Sequence, residues 1–291
     1  MGEDVLMRVQ RHVPTLRRSE QAVAAVVLED PTVVVDSPIS ALAKRAGVSI
    51  ATVARFCNAL GYAGFTEFCR ELAVTLSRND RELAQFGVSD SDIGPDDNAR
   101  DVVSKIALHD ARAVQETAAG IDDAVLDAVV AAIAASSRVD IYGVGSSGLT
   151  GLDLQQKLHR IGLVSFHWSD PHLALTSAAV LPAGSVAIAF SHSGRTIETA
   201  HALQRAREAH ATTVAVTNFP DSPIAALADH VLATATRETR YRSGAMSSRM
   251  AQLAIVDFVF VRVTQRRYES AAASLEATYN AVQGHRIEPR D

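Results

Sequence analysis

Two short polar loops concentrate the side chains able to bind a small ligand. One reads Ser191-His192-Ser193-Gly194-Arg195-Thr196 and the other Gly143-Val144-Gly145-Ser146-Ser147-Gly148. Each follows an apolar run of strand length and opens a helical segment, where free backbone N–H groups and the helix dipole attract an anion. The hydroxyls of Ser191, Ser193 and Thr196 supply three donors without bulk or charge, and Ser147 is expected to face the same crevice. Such a set suits a phosphate, or the hydroxyls of a sugar, rather than a metal ion. Ser146, Ser147, Ser191, His192, Ser193, Gly194 and Thr196 are therefore the candidate ligand contacts.

Several neighbours admit two readings. His192 is either a general base or a residue that lends only its backbone, and Glu198 complements the dipole from the first turn of a helix. Glu238, in Thr-Arg-Glu-Thr-Arg, either reaches the crevice as a further ligand contact or is a solvated loop charge. Arg240, Arg242 and Arg249 share that choice, and Ser247 and Ser248 either cap a long helix or touch ligand. Residues 143–148 also match the Gly-x-Gly-x-x-Gly of a dinucleotide site. A dinucleotide does not require the Ser-His-Ser-Gly-Arg-Thr loop, and the one acid closing the second strand is Asp170, so a phosphosugar is favoured.

A different chemistry is suggested by residues 39–58, Ile-Ser-Ala-Leu-Ala-Lys-Arg-Ala-Gly-Val-Ser-Ile-Ala-Thr-Val-Ala-Arg-Phe-Cys-Asn. Ala43 is small where two helices would cross, Gly47 suits a turn that needs positive φ, and Leu42, Ala46, Val48, Val53 and Phe56 are apolar where the helices would pack. This is the pattern of a helix-turn-helix, whose second helix enters the DNA major groove. Ser49, Ile50, Ala51, Thr52, Arg55 and Asn58 are then expected outward, with Arg55 matched to guanine or phosphate. Lys44 and Arg45 on the first helix suit contacts to the DNA backbone.

Composition removes other classes. Cys57 and Cys69 are too few for a disulfide framework or a four-cysteine zinc site, and read as core or semi-buried thiols. No metal-ligand spacing is present, and no cofactor or metal is expected. No apolar stretch approaches the roughly 18–20 residues of a membrane helix, and the N-terminus lacks the order of a signal peptide. A cytoplasmic chain without membrane contact is expected. The net charge of −5 argues against nucleic acid in bulk, but it is unevenly placed. Residues 1–80 hold nine basic and nine acidic side chains, so the whole excess of acid lies in residues 81–291.

Behind these constellations stand two kinds of element. Residues 1–78 read as helices, with Ser37-Pro38 placing proline at the first helical position of one of them. The polar, acidic stretch around 90–97 reads as a linker with little to bury. Two alanine-rich helices, near 99–118 and 122–136, precede short apolar runs at 139–144, 164–168, 185–190, 212–217 and 230–233. Helical segments separate most of these runs, which predicts a parallel sheet buried on both faces. Residues 253–263 are long enough for a helix although rich in β-branched residues, and helix is the reading adopted.

The two constellations together resemble the RpiR family of bacterial transcriptional regulators, in which a helix-turn-helix domain precedes a sugar isomerase (SIS) domain. The resemblance spans about residues 4–282, most specifically Leu42–Leu76, Gly143–Gly148 and Ser191–Thr196, with Arg242–Arg249 also similar. Family ligand residues carry over onto Ser147, Ser191, Ser193 and Thr196, while Ala54 stands where the family often has Ser. The resemblance implies an all-α helix-turn-helix domain (1–80), a linker (81–98), and an α/β SIS domain (99–284) with a five-stranded parallel sheet flanked by helices. It implies a regulator of carbohydrate genes that binds an operator and a phosphosugar effector, as a homodimer or homotetramer, and is not an enzyme. The alternative is a sugar-phosphate isomerase whose N-terminal helices only mediate assembly.

Overall fold

The computed structural model describes residues 4–89, 92–236 and 246–283, and its contacts divide the chain into two units, 1–112 and 113–291. In the first unit, α1 (Val5–His12), α2 (Arg18–Glu29), α3 (Pro31–Val35), α4 (Ile39–Arg45), α5 (Ile50–Ala59) and α6 (Phe65–Phe86) precede α7 (Ala99–Gly120), inside which the division falls. Helix starts carry local caps: the Asp4 carboxylate accepts from the N–H groups of Leu6 and Met7, and Asp30 caps α3 ahead of Pro31. Pro38 takes the N-cap position of α4, one residue earlier than the first-turn position expected. Leu42, Ala43, Val53 and Phe56 close a core with Val23, Val27, Phe68 and Leu72, and the Phe56 and Phe68 rings meet edge to face at 5.7 Å.

Cys57 and Cys69 are free thiols in this core and at its edge. Burial pushes the Cys57 thiol up to about 12 and that of Cys69 to about 11, so neither is a thiolate at neutral pH. The expected linker is more structured than its composition suggests. Residues 81–86 extend α6, and buried Lys105 donates from Nζ to the Asp92 carbonyl at 2.6 Å and to Asp97 at 2.9 Å. The Gly94 N–H and the Lys105 ammonium hold the Asp97 carboxyl below its ordinary range.

The second unit is a five-stranded parallel sheet of order β2-β1-β3-β4-β5. After α8 (Asp123–Ala135) the chain runs β1 (Val139–Gly143), α9 (Gly145–Arg160), β2 (Ser165–Trp168), α10 (Pro171–Ala179), β3 (Val186–Phe190) and α11 (Ile197–Glu208). It continues β4 (Thr212–Thr217), α12 (Pro223–Ala226), β5 (His230–Ala233), α13 (Met246–Arg266) and α14 (Tyr268–Ala281). All five runs form strands, and the β-branched stretch 253–263 is the middle of a helix.

The pleat sorts residues by size. Ile141, Ile188, Phe190, Val214 and Val216 point toward α8, α9 and α13, where Leu154, Leu158, Ile255 and Val259 meet them. Alanines at 187, 189 and 215 point the other way, against Ala174, Ala202 and Ala206 of α10 and α11. Among the described residues no helix is long and apolar enough to cross a membrane, and no cluster of three or more His, Cys, Asp or Glu could hold a metal ion.

Candidate functional site

The strand order fixes where a crevice opens. β1 lies between β2 and β3, and the helices that follow β1 and β3 pack on opposite faces: α9 through Leu154 and Leu158, α11 through Ala202 and Leu203. Chains that diverge from adjacent parallel strands leave a gap beyond the strand ends, the position at which open α/β sheets bind ligands. Both candidate loops sit there.

The loop after β1 depends on absent side chains. A Cβ on Gly148 would stand 2.7 Å from the Gly143 carbonyl oxygen, so α9 approaches β1 only because both residues are glycine. Gly145 turns the chain at φ +59°, and Val144 at the N-cap offers no side chain to the first N–H groups of α9. Ser146 and Ser147 follow, both half-buried. Ser147 Oγ lies 3.1 Å from the side-chain nitrogen of Gln252, a fully buried residue of α13 that also lies 3.0 Å from Thr150 Oγ1. These glycines would equally serve a dinucleotide. Asp170, the acid of that rival reading, caps α10 through one carboxylate oxygen, which accepts from Leu173 N at 2.9 Å.

The loop after β3 is laced to its surroundings through the backbone. Ser191 N donates to Val216 O, Asn218 N to His192 O, and Ile224 N to Gly194 O, each at 3.0–3.1 Å. Gly194 has φ +64°, and a Cβ there would fall 2.0 Å from Ser222 Oγ. Buried Ser191 and half-buried Thr196 face each other, their hydroxyls 3.0 Å apart, while Ser193 is exposed. Thr196 occupies the N-cap of α11 without a side-chain capping bond, so its hydroxyl belongs to the loop rather than to the helix. His192 sets its ring against Phe219, with centroids 5.9 Å apart, and its carbonyl accepts from Thr217 Oγ1. Glu238, Arg240 and Arg242 lie outside the described residues; Arg249 is exposed on α13, and Ser247 and Ser248 are buried in its first turn.

Beside this crevice lies a narrow cleft, with room for about one water, lined by Tyr142, Trp168, Ala174, Glu198 and Thr199 among others. Under it sits a group that an apolar reading of the first strand conceals. Asp140 is 0 % exposed, and its carboxylate accepts from Arg138 Nε at 2.7 Å, Trp168 Nε1 at 2.7 Å and Ser177 Oγ at 2.5 Å. A buried carboxylate persists only when so paired. Burial, then the nearby Asp140 charge, pushes the Tyr142 phenol far up from its ordinary value.

In the first unit the helix-turn-helix forms as spaced. The Gly47 N–H donates to Lys44 O at 3.2 Å and the Val48 N–H to Ala43 O at 2.9 Å, with Gly47 at φ +65°, which closes α4 and starts the turn. Ile50, Ala51, Arg55 and Asn58 are exposed on α5, as are Lys44 and Arg45 on α4. Thr52 is a correction: expected outward, it is 5 % exposed. Ser49 caps α5 by accepting from Thr52 N at 3.2 Å, its hydroxyl lies 3.0 Å from Thr52 Oγ1, and Arg55 donates to the same oxygen at 3.0 Å. Thr52 shares the buried face of α5 with Val53, Phe56 and Cys57. Arg55 further lies 3.8 Å from buried Glu20, and Arg45 lies 3.4 Å from Asp30.

Two family models match the chain: the helix-turn-helix domain of the rpiR family over residues 3–79 and the SIS domain over residues 132–262. A protein of Caldanaerobacter subterraneus, named an uncharacterized HTH-type transcriptional regulator, is 36% identical over 98% of this chain and 99% of its own length. The chain belongs to the rpiR family of helix-turn-helix transcriptional regulators. A second relative of this regulator, from Haemophilus influenzae and similarly named, is 32% identical over 98% of each chain. Among solved structures, the NanR protein of Vibrio vulnificus complexed with ManNAc-6P is 28% identical, covers 97% of the regulator and 100% of its own chain, and has a TM-score of 0.62. The sugar isomerase domain of an RpiR transcription factor from Sphaerobacter thermophilus is 25% identical over 62% of the regulator and 98% of its own chain, with a TM-score of 0.57.

Proposed function

We propose that the regulator binds operator DNA through α4 and α5 and is controlled by a phosphosugar held between the loops after β1 and β3. The observation that carries the effector half is the second loop: Ser191 and Thr196 facing each other 3.0 Å apart, with Ser193 exposed, at the sheet's switch point and at a helix start without a side-chain cap. Donors in that arrangement match the oxygens of a phosphoryl group. The ManNAc-6P complex of NanR supports a phosphosugar as the class of ligand. Ser146, Ser147 and His192 complete the contact set, His192 through its backbone, while Gly194, bonded to Ser191 O and Ile224 N, shapes the turn that presents them. Glu238 remains a candidate contact outside the described residues.

On the DNA side, Ile50, Ala51, Arg55 and Asn58 would face base edges or phosphates, with Lys44 and Arg45 on the backbone. Ser49, exposed at the start of α5, stays among these contacts, while buried Thr52 acts from behind and shapes the start of the reading helix. The working boundaries are a reading head at 1–80, a connecting segment at 81–98 and a sensor at 99–284. Two copies on a palindromic site would place their heads about one helical turn, or a multiple of it, apart. The regulator acts in the cytoplasm and catalyses nothing; the names of its relatives support regulation rather than turnover.

A gel-shift series tests this reading on DNA fragments upstream of the regulator's own gene, with and without ManNAc-6P and hexose 6-phosphates. A specific shift altered by at least one sugar phosphate is expected. Absence of a shift on every fragment, together with turnover of a sugar phosphate, would establish the isomerase instead.

A further inference from the structure

Arg55 stands on the exposed face of α5 with one edge of its guanidinium already engaged. Its Nη2 donates to Thr52 Oγ1 at 3.0 Å, and its Nε lies 3.8 Å from Oε1 of Glu20, a residue of α2 outside the helix-turn-helix. Nε and Nη2 form one edge of the planar guanidinium, so that edge is turned to the protein. The remaining protons of Nη1 and Nη2 lie at its terminal end, on a side chain that is 52 % exposed. An end with two parallel donors matches O6 and N7 of a guanine in the major groove.

Both partners are themselves fixed. Glu20 Oε2 accepts from the Arg17 N–H at 3.1 Å, and its side chain is only 8 % exposed, so the carboxylate is held in place and does not reach DNA itself. A carboxylate taken out of water needs a cation nearby, which Arg55 supplies. A guanidinium only donates, so the oxygen of buried Thr52 is its acceptor, and that oxygen lies 3.0 Å from Ser49 Oγ. An arginine without such partners samples many rotamers and meets a phosphate as readily as a base. The Glu20 charge offsets the attraction of Arg55 for phosphate but leaves its directional donors intact.

We propose that Glu20 and Thr52 make Arg55 a base reader, holding the terminal end of its guanidinium outward so that each bound head reads one guanine rather than a phosphate. Glu20 is a positioning residue that sets specificity from a helix which does not enter the groove. The inference rests on the operator-binding reading above and deepens it by assigning Arg55 a base and an orientation.

Selection from random-sequence duplex DNA with the full chain, run with and without ManNAc-6P, tests it. The guanine read by Arg55 is the position that Arg55→Ala no longer selects. Gel shifts then compare the preferred duplex, the same duplex with adenine at that position, and random duplex. The change to adenine should cost the unsubstituted protein about tenfold. Glu20→Gln, which keeps the shape and an acceptor for Arg17 N–H, should cut this discrimination to about threefold and raise affinity for random duplex, with a steeper dependence on salt. In an Arg55→Ala background Glu20→Gln should change the discrimination no further, a non-additivity that a merely structural role would not give. Thr52→Val, which leaves Glu20 in place, should lower the discrimination from the other side of the guanidinium, and Thr52→Ser should restore it. Equal losses on all three duplexes in Glu20→Gln and Thr52→Val, or no change in either, overturn the proposal and leave operator binding standing. A uniform loss across sequences in Arg55→Ala, the signature of a phosphate contact, overturns it as well. Failure of the unsubstituted protein to enrich any sequence in either condition overturns both.

Discussion

Each unit of the regulator turns its chain on a glycine in the left-handed region, and the two glycines work under opposite constraints. Gly47, between α4 and α5, has φ +65° and open space where a Cβ would stand. Gly194, after β3, has φ +64°, but a Cβ would fall 2.0 Å from Ser222 Oγ and 2.3 Å from Ser222 Cβ. The head thus uses glycine for conformation alone, whereas the sensor uses it for conformation and for volume. The turn of the head has room for added atoms. A ligand loop pressed onto its own scaffold has none.

The sharpest way to break this contrast is Gly194→Val. It should destabilise the sensor by about 3 kcal/mol, from strained φ and overpacking together, and abolish the response to sugar phosphate. Thermal unfolding and a gel shift with effector would show it; near-wild-type response would mean that the loop is not clamped as described. On the head, Arg55→Ala should weaken operator binding by about 2 kcal/mol if Arg55 reads a base, with sensor calorimetry unchanged. Loss of both activities together would contradict the division of labour. Gly47→Ala, the counterpart of the first substitution, should reduce stability by only about 1 kcal/mol and leave effector binding intact.

The smallest effect concerns His167, whose half-buried ring lies near Gly148 and Gly151. Burial lowers its affinity for a proton, so the folded sensor holds it neutral while the unfolded chain protonates at about 6.5. Stability present above that pH is therefore lost as pH falls from about 6.5 through the lower folded value. His167→Gln should flatten this part of the stability profile, and an unchanged slope would assign it to other groups.

What was legible in the sequence was whatever acts through neighbours along the chain. The apolar spacing of Leu42, Ala46, Val48, Val53 and Phe56, the turn at Gly47, and the strand–loop–helix order of both ligand loops are local patterns, and they form as read. The misreadings come from partners far apart in sequence. Asp140 looks like a blemish in an apolar strand until Trp168 and Ser177, 28 and 37 residues away, arrive to hold it. Gln252 is 105 residues from Ser147, and no spacing rule points from one to the other. Thr52 is a subtler case. Its type suits a DNA contact, but the turn of α5 sets it on the buried face beside Val53 and Phe56, a face the first helical turn does not reveal by residue type.

The pairing of Trp168 with Asp140 has a practical consequence. Trp168 is the single tryptophan of the chain, it lines the cleft beside the effector crevice, and its ring stacks on Phe166 at 5.8 Å. Intrinsic indole fluorescence from this regulator therefore originates at one site, next to a carboxylate and within the sensor. Its emission wavelength and quenching report on that cleft without any attached label, and the reading head, which has no indole, stays dark.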